Sequence, residues 1–237
     1  MSVTSQHAFS EKVALVTDIT SADGRATAMQ LALCGAFVIG VRPFGAVATA
    51  EVETMRELGT LAIAAEESDS GEAGIEQVIE VVNEAFGRLD LLLNCTDPFG
   101  LKIDQSRPFQ NLLEKLTESV FLYSTKCKRL MDSRPSPRIV NLFYGSNGLK
   151  SAEDAGLNAS SGAILELTKS LPEYLGRPYR VNGVRVSRCD LDNDESIDRE
   201  SLLRKPLGID ADDVARAVMY LFSSESKALN GNVLEIS

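Results

Sequence analysis

Short apolar runs alternate with longer amphipathic stretches along the 237 residues of the chain. Nearly every position within each run is apolar, which is typical of strands that are buried on both faces of a parallel sheet. The strands predicted from these runs cover residues 13–17, 37–41, 61–65, 89–93, 139–143, 181–186 and 233–236.

The stretches between the runs have the apolar spacing of helices that bury one face. In the third of them, Ile75, Val78 and Val82 recur at the spacing of one helix face. The predicted helices cover residues 25–33, 47–58, 75–86, 111–131, 155–175 and 212–222.

Strands that alternate with helices predict an α/β fold with a doubly wound, Rossmann-like parallel sheet of seven strands. Because no linker or repeat interrupts the pattern, we expect a single domain over residues 1–237. The polar start of the chain predicts a flexible N-terminal tail over residues 1–11.

The charge balance narrows the classes of partner. The chain has 24 Lys and Arg residues against 34 Asp and Glu residues, a net charge of −10, which argues against nucleic acid and anionic membranes. No apolar run is long enough for a membrane helix, which needs about 20 residues. The one histidine, His7, lies in the polar tail, so we expect no Ser-His-Asp triad and no metal site.

The cysteines indicate a reducing compartment. Cys34, Cys95, Cys127 and Cys189 are widely spaced and form no Cys-x-x-Cys pair, so we expect reduced, buried thiols rather than disulfides or a zinc site. The first twelve residues contain no apolar signal-peptide core. We therefore expect a cytoplasmic protein.

Several segments of the chain, taken in order, carry a family resemblance. They are Lys12–Thr17 with Arg25–Ala28, Phe86–Asp90 with Asn94, Pro137–Asn141, Ala159-Ser160 with Leu167–Leu171, Arg180–Asn182, Asp213–Ala215 and Asn230–Leu234. These segments resemble the short-chain dehydrogenase/reductase family. The resemblance covers residues 12–236, nearly the whole chain, and implies a Rossmann-type fold.

The nucleotide-binding turn of that family is degraded in this chain. The family has Thr-Gly-x-x-x-Gly-x-Gly, whose bare backbone lets a pyrophosphate approach a helix N-terminus. Here the first two glycines are replaced by Asp18 and Ala22, and only Gly24 remains. Asp23 adds a negative charge at the helix start, where the helix dipole favours an anion. We expect that a protein carboxylate takes the place of the phosphate.

Two further positions bear on the cofactor. Asn94 aligns with the start of the family's Asn-Asn-Ala-Gly motif, and Asp97 stands where that motif has glycine. Three acids would then surround the seat of a dianion, so we expect no cofactor. Arg42 is a contrary signal, because an Arg at the end of the second strand suits the 2′-phosphate of NADP.

The catalytic positions of the family are also replaced. Its Tyr-x-x-x-Lys pair aligns with Leu157 and Ser161, its Ser with Tyr144, and its proton-relay Asn with Leu116. An aliphatic side chain cannot exchange a proton, and a serine cannot lower the pKa of a phenol. We therefore expect no catalytic residues, with Tyr144 acting as a relocated acid as a less favoured interpretation.

The elements best preserved in pattern are those through which related dehydrogenases assemble: the helices over 111–131, 155–175 and 212–222, and the last strand over 233–236. Their apolar residues exceed what one buried stripe needs, unless the helices are simply well buried in one subunit. These residues are Leu112, Leu113, Leu116, Val120, Phe121, Ile164, Leu167, Leu171, Val218 and Leu221.

The favoured hypothesis is a non-catalytic family member that assembles with a catalytically active paralogue into a hetero-oligomer, such as a heterotetramer. Its pattern of losses resembles the inactive subunit of the heteromeric hydroxyacyl-CoA-type dehydrogenase of anaerobic toluene degradation. One alternative is an isomerase or lyase that uses Asp18, Asp97 or Tyr144 as its acid or base. The other is an atypical NADP-dependent reductase, supported by Arg42.

Overall fold

All seven predicted strands pair in one parallel sheet. The computed structural model describes residues 8–42, 62–66, 71–98, 106–146, 152–188 and 210–237. The strands follow the order β3-β2-β1-β4-β5-β6-β7 across the sheet, so the predicted doubly wound α/β fold is confirmed. Their bounds are β1 Val13–Val16, β2 Phe37–Arg42, β3 Ala62–Glu66, β4 Leu91–Cys95, β5 Arg138–Ser146, β6 Arg180–Arg188 and β7 Val233–Ile236.

Helices connect the strands, and local sequence signals mark several of their ends. The described helices are α1 Ala22–Leu33, α2 Glu72–Phe86, α3 Pro108–Lys126, α4 Lys128–Met131, α5 Ala152–Leu175 and α6 Ala211–Phe222, followed by a short 3₁₀ turn over Ser224–Ser226. Helix α1 is capped by Ser21, α2 ends at Gly87 with a left-handed backbone, and α6 begins with a capping box between Asp210 and Asp213.

The structure shifts several predicted boundaries. The predicted helix over 111–131 is interrupted at Cys127, and β4 begins at Leu91 rather than at Leu89. Phe9, within the predicted flexible tail, is buried and its amide donates to the carbonyl of Cys34, so the packed part of the chain includes residue 9. The helix predicted over 47–58 and residues 1–7 lie outside the described residues.

The apolar core forms two buried clusters, and alternate residues of β1 belong to different clusters because successive strand residues point to opposite faces. Ala14 and Val16 belong to one cluster, which includes residues of α1 and α6. Val13 and Leu15 belong to the other, which includes residues of α2, and α3 and α5 contribute residues to both clusters. Among the described helices, none is long and apolar enough to cross a membrane.

Because every strand runs the same way, the sheet has one edge of strand starts and one of strand ends. Asp90, just before β4, ties the starting edge together. Its buried carboxylate accepts hydrogen bonds from the amide of Val13 at 3.1 Å, from Lys12 at 3.3 Å and from Arg134 at 2.9 Å. The residues aligned with the family's site lie mainly at the other edge, where the strands end.

Candidate functional site

The turn between β1 and α1 is closed by the carboxylate of Asp18. One of its oxygens accepts hydrogen bonds from the amide and the hydroxyl of Thr20, both at 2.7 Å, and from the amide of Ser21 at 3.3 Å. Backbone amides of such a turn are the groups that hold an anion at a helix N-terminus. Here the chain supplies the anion itself, through Asp18 rather than through Asp23 as the sequence suggested.

Burial of Asp18 has an electrostatic cost. It raises the pKa of the Asp18 carboxyl above its ordinary value, although the bonds from Thr20 and Ser21 and the charge of Arg25 act in the opposite direction. Burial therefore disfavours the ionised carboxylate, and the hydrogen bonds of the turn offset part of that cost.

Ser21 and Gly24 complete this turn. The Ser21 hydroxyl accepts from the amide of Gly24 at 3.0 Å, which caps α1. A Cβ at position 24 would lie 1.8 Å from the carbonyl oxygen of Asp18, so no other residue fits there. The remaining glycine of the degraded motif is thus required by the turn itself.

A side chain from β5 reaches the first turn of α1. The hydroxyl of Tyr144, near the end of β5, donates to Asp23 Oδ2 at 2.5 Å, and both residues are buried. Burial, together with the nearby Cys95, Asp23 and Asp97, raises the pKa of the Tyr144 phenol well above its ordinary value. Tyr144 therefore stays protonated and is a hydrogen-bond donor, not a proton source near neutral pH.

The three predicted acids act electrostatically on the thiol of Cys95, which ends β4. Burial first, then the charges of Asp18, Asp97 and Asp23, raises the pKa of that thiol well above its ordinary value, although a contact with the Ser21 hydroxyl at 3.2 Å opposes them. This point lies between β1 and β4, where the strand order reverses and where such sheets bind nucleotides. In this chain the charges of carboxylates act near this point.

The positions aligned with catalytic residues belong to the packed interior. Leu116 and Leu157 are buried in the apolar cluster that also contains Ala14 and Val16. Ser161 is buried and its hydroxyl accepts from Arg185 Nε at 3.1 Å, while Arg185 also pairs with Glu235. Leucine has no proton to exchange, and the hydroxyl of Ser161 is bound by a cation, Arg185, rather than by a base that could take its proton. Arg185 was not singled out from the sequence, where it is one of several polar residues of β6.

Asn94 forms hydrogen bonds within the interior of the chain. Its amide donates to the hydroxyl of Ser124 at 3.0 Å and to Asn141 Oδ1 at 2.8 Å, and Asn141 donates in turn to Thr168 at 2.9 Å. This chain of hydrogen bonds joins β4 and β5 to α3 and α5. The Oδ1 atom of Asn94 is buried and has no hydrogen-bond partner among the described residues.

Two further aligned positions are Ala22 and Arg42. Ala22 is exposed at the first residue of α1, and Arg42 is half-buried at the end of β2, where its backbone pairs in register with Glu66. Of the predicted site residues, the structure brings together Asp18, Asp23, Asp97 and Tyr144. Arg42 takes no part in the hydrogen bonds given above for these four.

These residues do not fit a nicotinamide dinucleotide. The turn amides of Thr20 and Ser21 already bind a carboxylate, and the bond from Tyr144 to Asp23 crosses the approach to α1. A pyrophosphate placed there would meet buried carboxylates in place of bare backbone. In the part of the chain that the structure describes, no group of three or more His, Cys, Asp or Glu side chains is arranged to hold a metal.

The long helices use most of their apolar residues inside the chain. The interpretation that they are well buried in one subunit therefore accounts for much of the excess, and Phe121, 40% exposed, is the clear exception. The residues buried in the chain's own core are Leu112, Leu116, Val120, Ile164, Leu171, Val218 and Leu221.

Comparisons with known proteins agree with the fold. A family model described as Enoyl-(Acyl carrier protein) reductase matches residues 21–237. The chain is 29% identical to the 3-oxoacyl-[acyl-carrier-protein] reductase FabG of Haemophilus influenzae, with 95% of this chain and 96% of the relative covered. It is 27% identical to the FabG of Escherichia coli, with 97% of each chain covered.

Solved structures extend this likeness at lower identity. A hydroxysteroid dehydrogenase from Escherichia coli superimposes with a TM-score of 0.79 and 22% identity, over 97% of this chain and 96% of that one. A substituted short-chain dehydrogenase/reductase from Serratia marcescens gives a TM-score of 0.77 and 23% identity, over 97% and 98% of the two chains. At this identity the structures bear on the fold alone.

Proposed function

Because the chain belongs to the short-chain dehydrogenase/reductase family of oxidoreductases, we propose that it is a non-catalytic member of that family. In this proposal it assembles with a catalytically active paralogue, a family member from the same genome, into a hetero-oligomer such as a heterotetramer. Its role is structural or regulatory: it supports the partner's active site and takes no part in hydride transfer.

The observation that carries the proposal is the hydrogen bond from Tyr144 to Asp23. It joins the position of the family's catalytic Ser to the helix turn that receives the cofactor phosphates. The cofactor region is thereby closed with the chain's own groups, and the carboxylate of Asp18 uses the turn amides. Since Leu157 and Leu116 are packed in the core, restoring chemistry would require rebuilding that core.

Two exposed aromatic residues support the assembly part of the proposal. Phe121 on α3 is 40% exposed and Tyr174 on α5 is 66% exposed, and their ring centroids lie 6.2 Å apart. Large aromatic side chains are enriched at protein interfaces, where their burial contributes most of the binding energy. We assign the α3–α5 surface that carries them to the contact with the paralogue.

The similar proteins suggest what the partner acts on. Relatives named 3-oxoacyl-[acyl-carrier-protein] reductase match almost the whole chain. A dehydrogenase or reductase of 3-oxoacyl or 3-hydroxyacyl thioesters, such as a hydroxyacyl-CoA-type enzyme, is therefore the proposed partner. The cytoplasmic location expected from the sequence stays a prediction.

Cofactor binding tests the loss of catalysis. Isothermal titration of the purified chain with NAD⁺, NADH, NADP⁺ and NADPH is expected to give no saturable binding at concentrations of about 1 mM, a free energy of about −4 kcal/mol or weaker. Binding in the micromolar range together with reductase turnover would contradict the proposal. Selective binding of NADPH would favour the reductase alternative that Arg42 supports.

Assembly is tested by co-expression with family members from the same genome that retain Tyr-x-x-x-Lys. We expect one of them to co-elute with the chain at a fixed ratio and to be more active or more stable in its presence. The change Tyr174→Asp should abolish co-elution, whereas Leu33→Asp, on α1 and 51% exposed, should not. Equal co-elution of both variants would contradict the assigned surface.

One observation favours a second candidate, a non-redox enzyme that uses Asp18 as its acid. Burial raises the pKa of the Asp18 carboxyl, as an acid working near neutral pH requires. All the same, that carboxylate oxygen already accepts three hydrogen bonds within its turn. An isomerase or lyase activity that Asp18→Asn abolishes while leaving assembly intact would favour this candidate.

A further inference from the structure

A pocket of about 370 Å³ lies at the edge where the strands begin, opposite the site described above. It is formed by the segments that lead into β5, β6 and β7. Ser136 precedes β5, Arg177 and Arg180 flank the start of β6, and Lys227 and Asn230 precede β7. Its volume is within the usual range for small-molecule sites.

The pocket is positively charged, whereas the chain as a whole is negatively charged. The chain has a net charge of −10, yet three of the lining residues are cations and none of the lining residues is an acid. Arg177 and Lys227 are exposed, and within the described ranges neither forms an ion pair. A concave site lined by one sign of charge concentrates ions of the opposite sign.

The charge extends beneath the pocket to Arg138. This buried guanidinium donates to the carbonyls of Leu221 and Ser223 and to the hydroxyl of Ser226, all of them neutral acceptors. Its burial, and then the positive charge of Arg180, lowers the pKa of Arg138 from its ordinary value. Two cations therefore lie close together with no carboxylate between them among the described residues.

Arg180 also has an unsatisfied donor. Its Nη1 atom is buried and has no hydrogen-bond partner among the residues described. A buried charged donor without a partner is destabilising, because its lost hydration is not replaced. An anion held against the guanidinium would supply the missing negative charge and offset the repulsion from Arg138.

The walls of the pocket are fixed before any ligand arrives. Asn230 accepts from the amide of Val181 at 2.9 Å and donates to the carbonyl of Tyr179 at 3.4 Å. The hydroxyl of Tyr179 bonds in turn to Asp132 at 2.8 Å. A site whose walls are already held in place loses little entropy on binding.

We propose that this pocket binds a phosphate-bearing small molecule, with Arg177, Arg180 and Lys227 around the phosphate. A monocarboxylate would balance only one of the three positive charges. A phosphate monoester brings up to two negative charges and several acceptor oxygens. Planar guanidinium groups match phosphate oxygens in pairs, and the lysine adds a point charge. The site is distinct from the degraded nucleotide turn and does not depend on the non-catalytic role.

The test is a titration of the full chain with inorganic phosphate and with a panel of phosphomonoesters, at constant ionic strength and with chloride as the reference anion. We expect saturable binding, with dissociation constants of about 1 mM or lower. Arg177→Gln and Lys227→Gln should each weaken binding about tenfold, equivalent to about 1.4 kcal/mol. Lys169→Gln, outside the pocket and paired with Glu166, should leave binding unchanged.

Binding by a phosphomonoester that exceeds binding by inorganic phosphate identifies an organic phosphate as the ligand, and equal binding identifies phosphate itself. Absence of saturation, or equal affinity in the wild type, Arg177→Gln and Lys227→Gln, overturns the proposal. Both glutamine variants change exposed side chains, so folding is preserved and can be checked by their unfolding midpoints.

Discussion

The hydroxyl of Tyr144 donates to the carboxylate of Asp23 across the two halves of the sheet, at 2.5 Å and between residues separated by 121 positions. It joins the end of β5 to the first turn of α1, next to the point where the strand order reverses. A nucleotide-binding relative keeps this space for its cofactor, whereas in this chain a tyrosine and an aspartate fill it.

Loss of that bond should lower stability. Tyr144→Phe keeps the ring but removes the donor to a buried carboxylate, so we expect the free energy of unfolding to fall by about 1.5–3 kcal/mol. The measurement is urea denaturation at pH 7. Tyr174→Phe is the matched control, because Tyr174 is 66% exposed and should change stability by no more than about 0.5 kcal/mol. Equal effects of the two changes would contradict the importance of the bond to Asp23.

The two glycines at positions 24 and 162 should respond to alanine in opposite ways. Gly24→Ala would place a Cβ 1.8 Å from the carbonyl of Asp18, so we expect a loss of about 3 kcal/mol or more through backbone displacement. Gly162 is exposed in α5, and a Cβ at that position would have no neighbour within 4 Å, so Gly162→Ala should gain about 0.5–1 kcal/mol from helix propensity. The measurement is the thermal unfolding midpoint of both variants and of the wild type. A Gly24→Ala protein as stable as the wild type would contradict the close packing of the turn.

The acid side of the stability curve should depend on Asp90. Burial acts to raise the pKa of its carboxyl, but the amide of Val13 and the charges of Lys12 and Arg134 outweigh burial and hold the pKa below the ordinary value of 3.8. The ionised carboxylate therefore stabilises the fold above pH 3.8, and this contribution is lost as the pH falls through the lower folded-state pKa.

Asp90→Asn should accordingly lower the free energy of unfolding at pH 7 by about 2–3 kcal/mol, the cost of losing hydrogen bonds to a charged group. The difference from the wild type should shrink as the pH is lowered, as followed by urea denaturation between pH 7 and pH 3. Asp212→Asn, on the exposed start of α6, is the control and should change little. A difference that is independent of pH would show that the charge of Asp90 is not what stabilises the fold.

The described thiols should be unreactive in the folded protein. Cys34, Cys95 and Cys127 form no disulfide among the described residues and are buried, and burial raises the pKa of each thiol, to about 12 for Cys127. The thiolate is the reactive species, so we expect none of the three to react with a disulfide reagent at pH 8 within minutes. Peptide mapping by mass spectrometry follows each residue, with a sample unfolded in guanidinium as the positive control. Rapid labelling of Cys95 would mean that the turn around Ser21 opens readily.

The sheet could be predicted from the sequence because its signal is local. Each strand is a continuous apolar run, and the start of β7 at Val233 and the end of α5 at Leu175 match the periodicity. Errors occur where tertiary contacts decide the boundary. Leu89 resembles strand sequence, but its amide bonds to the carbonyl of Leu130, so β4 begins after it.

The site could be located but not described in detail. The sequence indicated that Asp18, Asp23 and Asp97 fall where the family would hold a cofactor phosphate, and all three raise the pKa of the Cys95 thiol. Which carboxylate folds into the turn depends on side-chain direction, which spacing does not specify. The partner of Tyr144 was equally hidden, because the two residues approach only when β5 and α1 meet.

The basic pocket left no signal in the sequence for a different reason. Its cations come from separate segments, before β6 and before β7, and each alone resembles an ordinary exposed residue. Only the parallel arrangement of the strands brings Arg177, Arg180 and Lys227 to one edge. The same topology therefore sets both ends of the sheet: Asp18 and Asp23 lie near the edge where the strands end, and the cations of the pocket lie near the edge where they begin.

The closed turn at Asp18 makes the loss of the nucleotide site difficult to reverse in evolution. Asp18→Gly, the first step back toward the family motif, removes three hydrogen bonds at once, while Tyr144 still crosses to Asp23. Each single reversion lowers stability before any affinity for a dinucleotide returns. Selection for a stable fold alone is then enough to retain Asp18 and the bond between Tyr144 and Asp23.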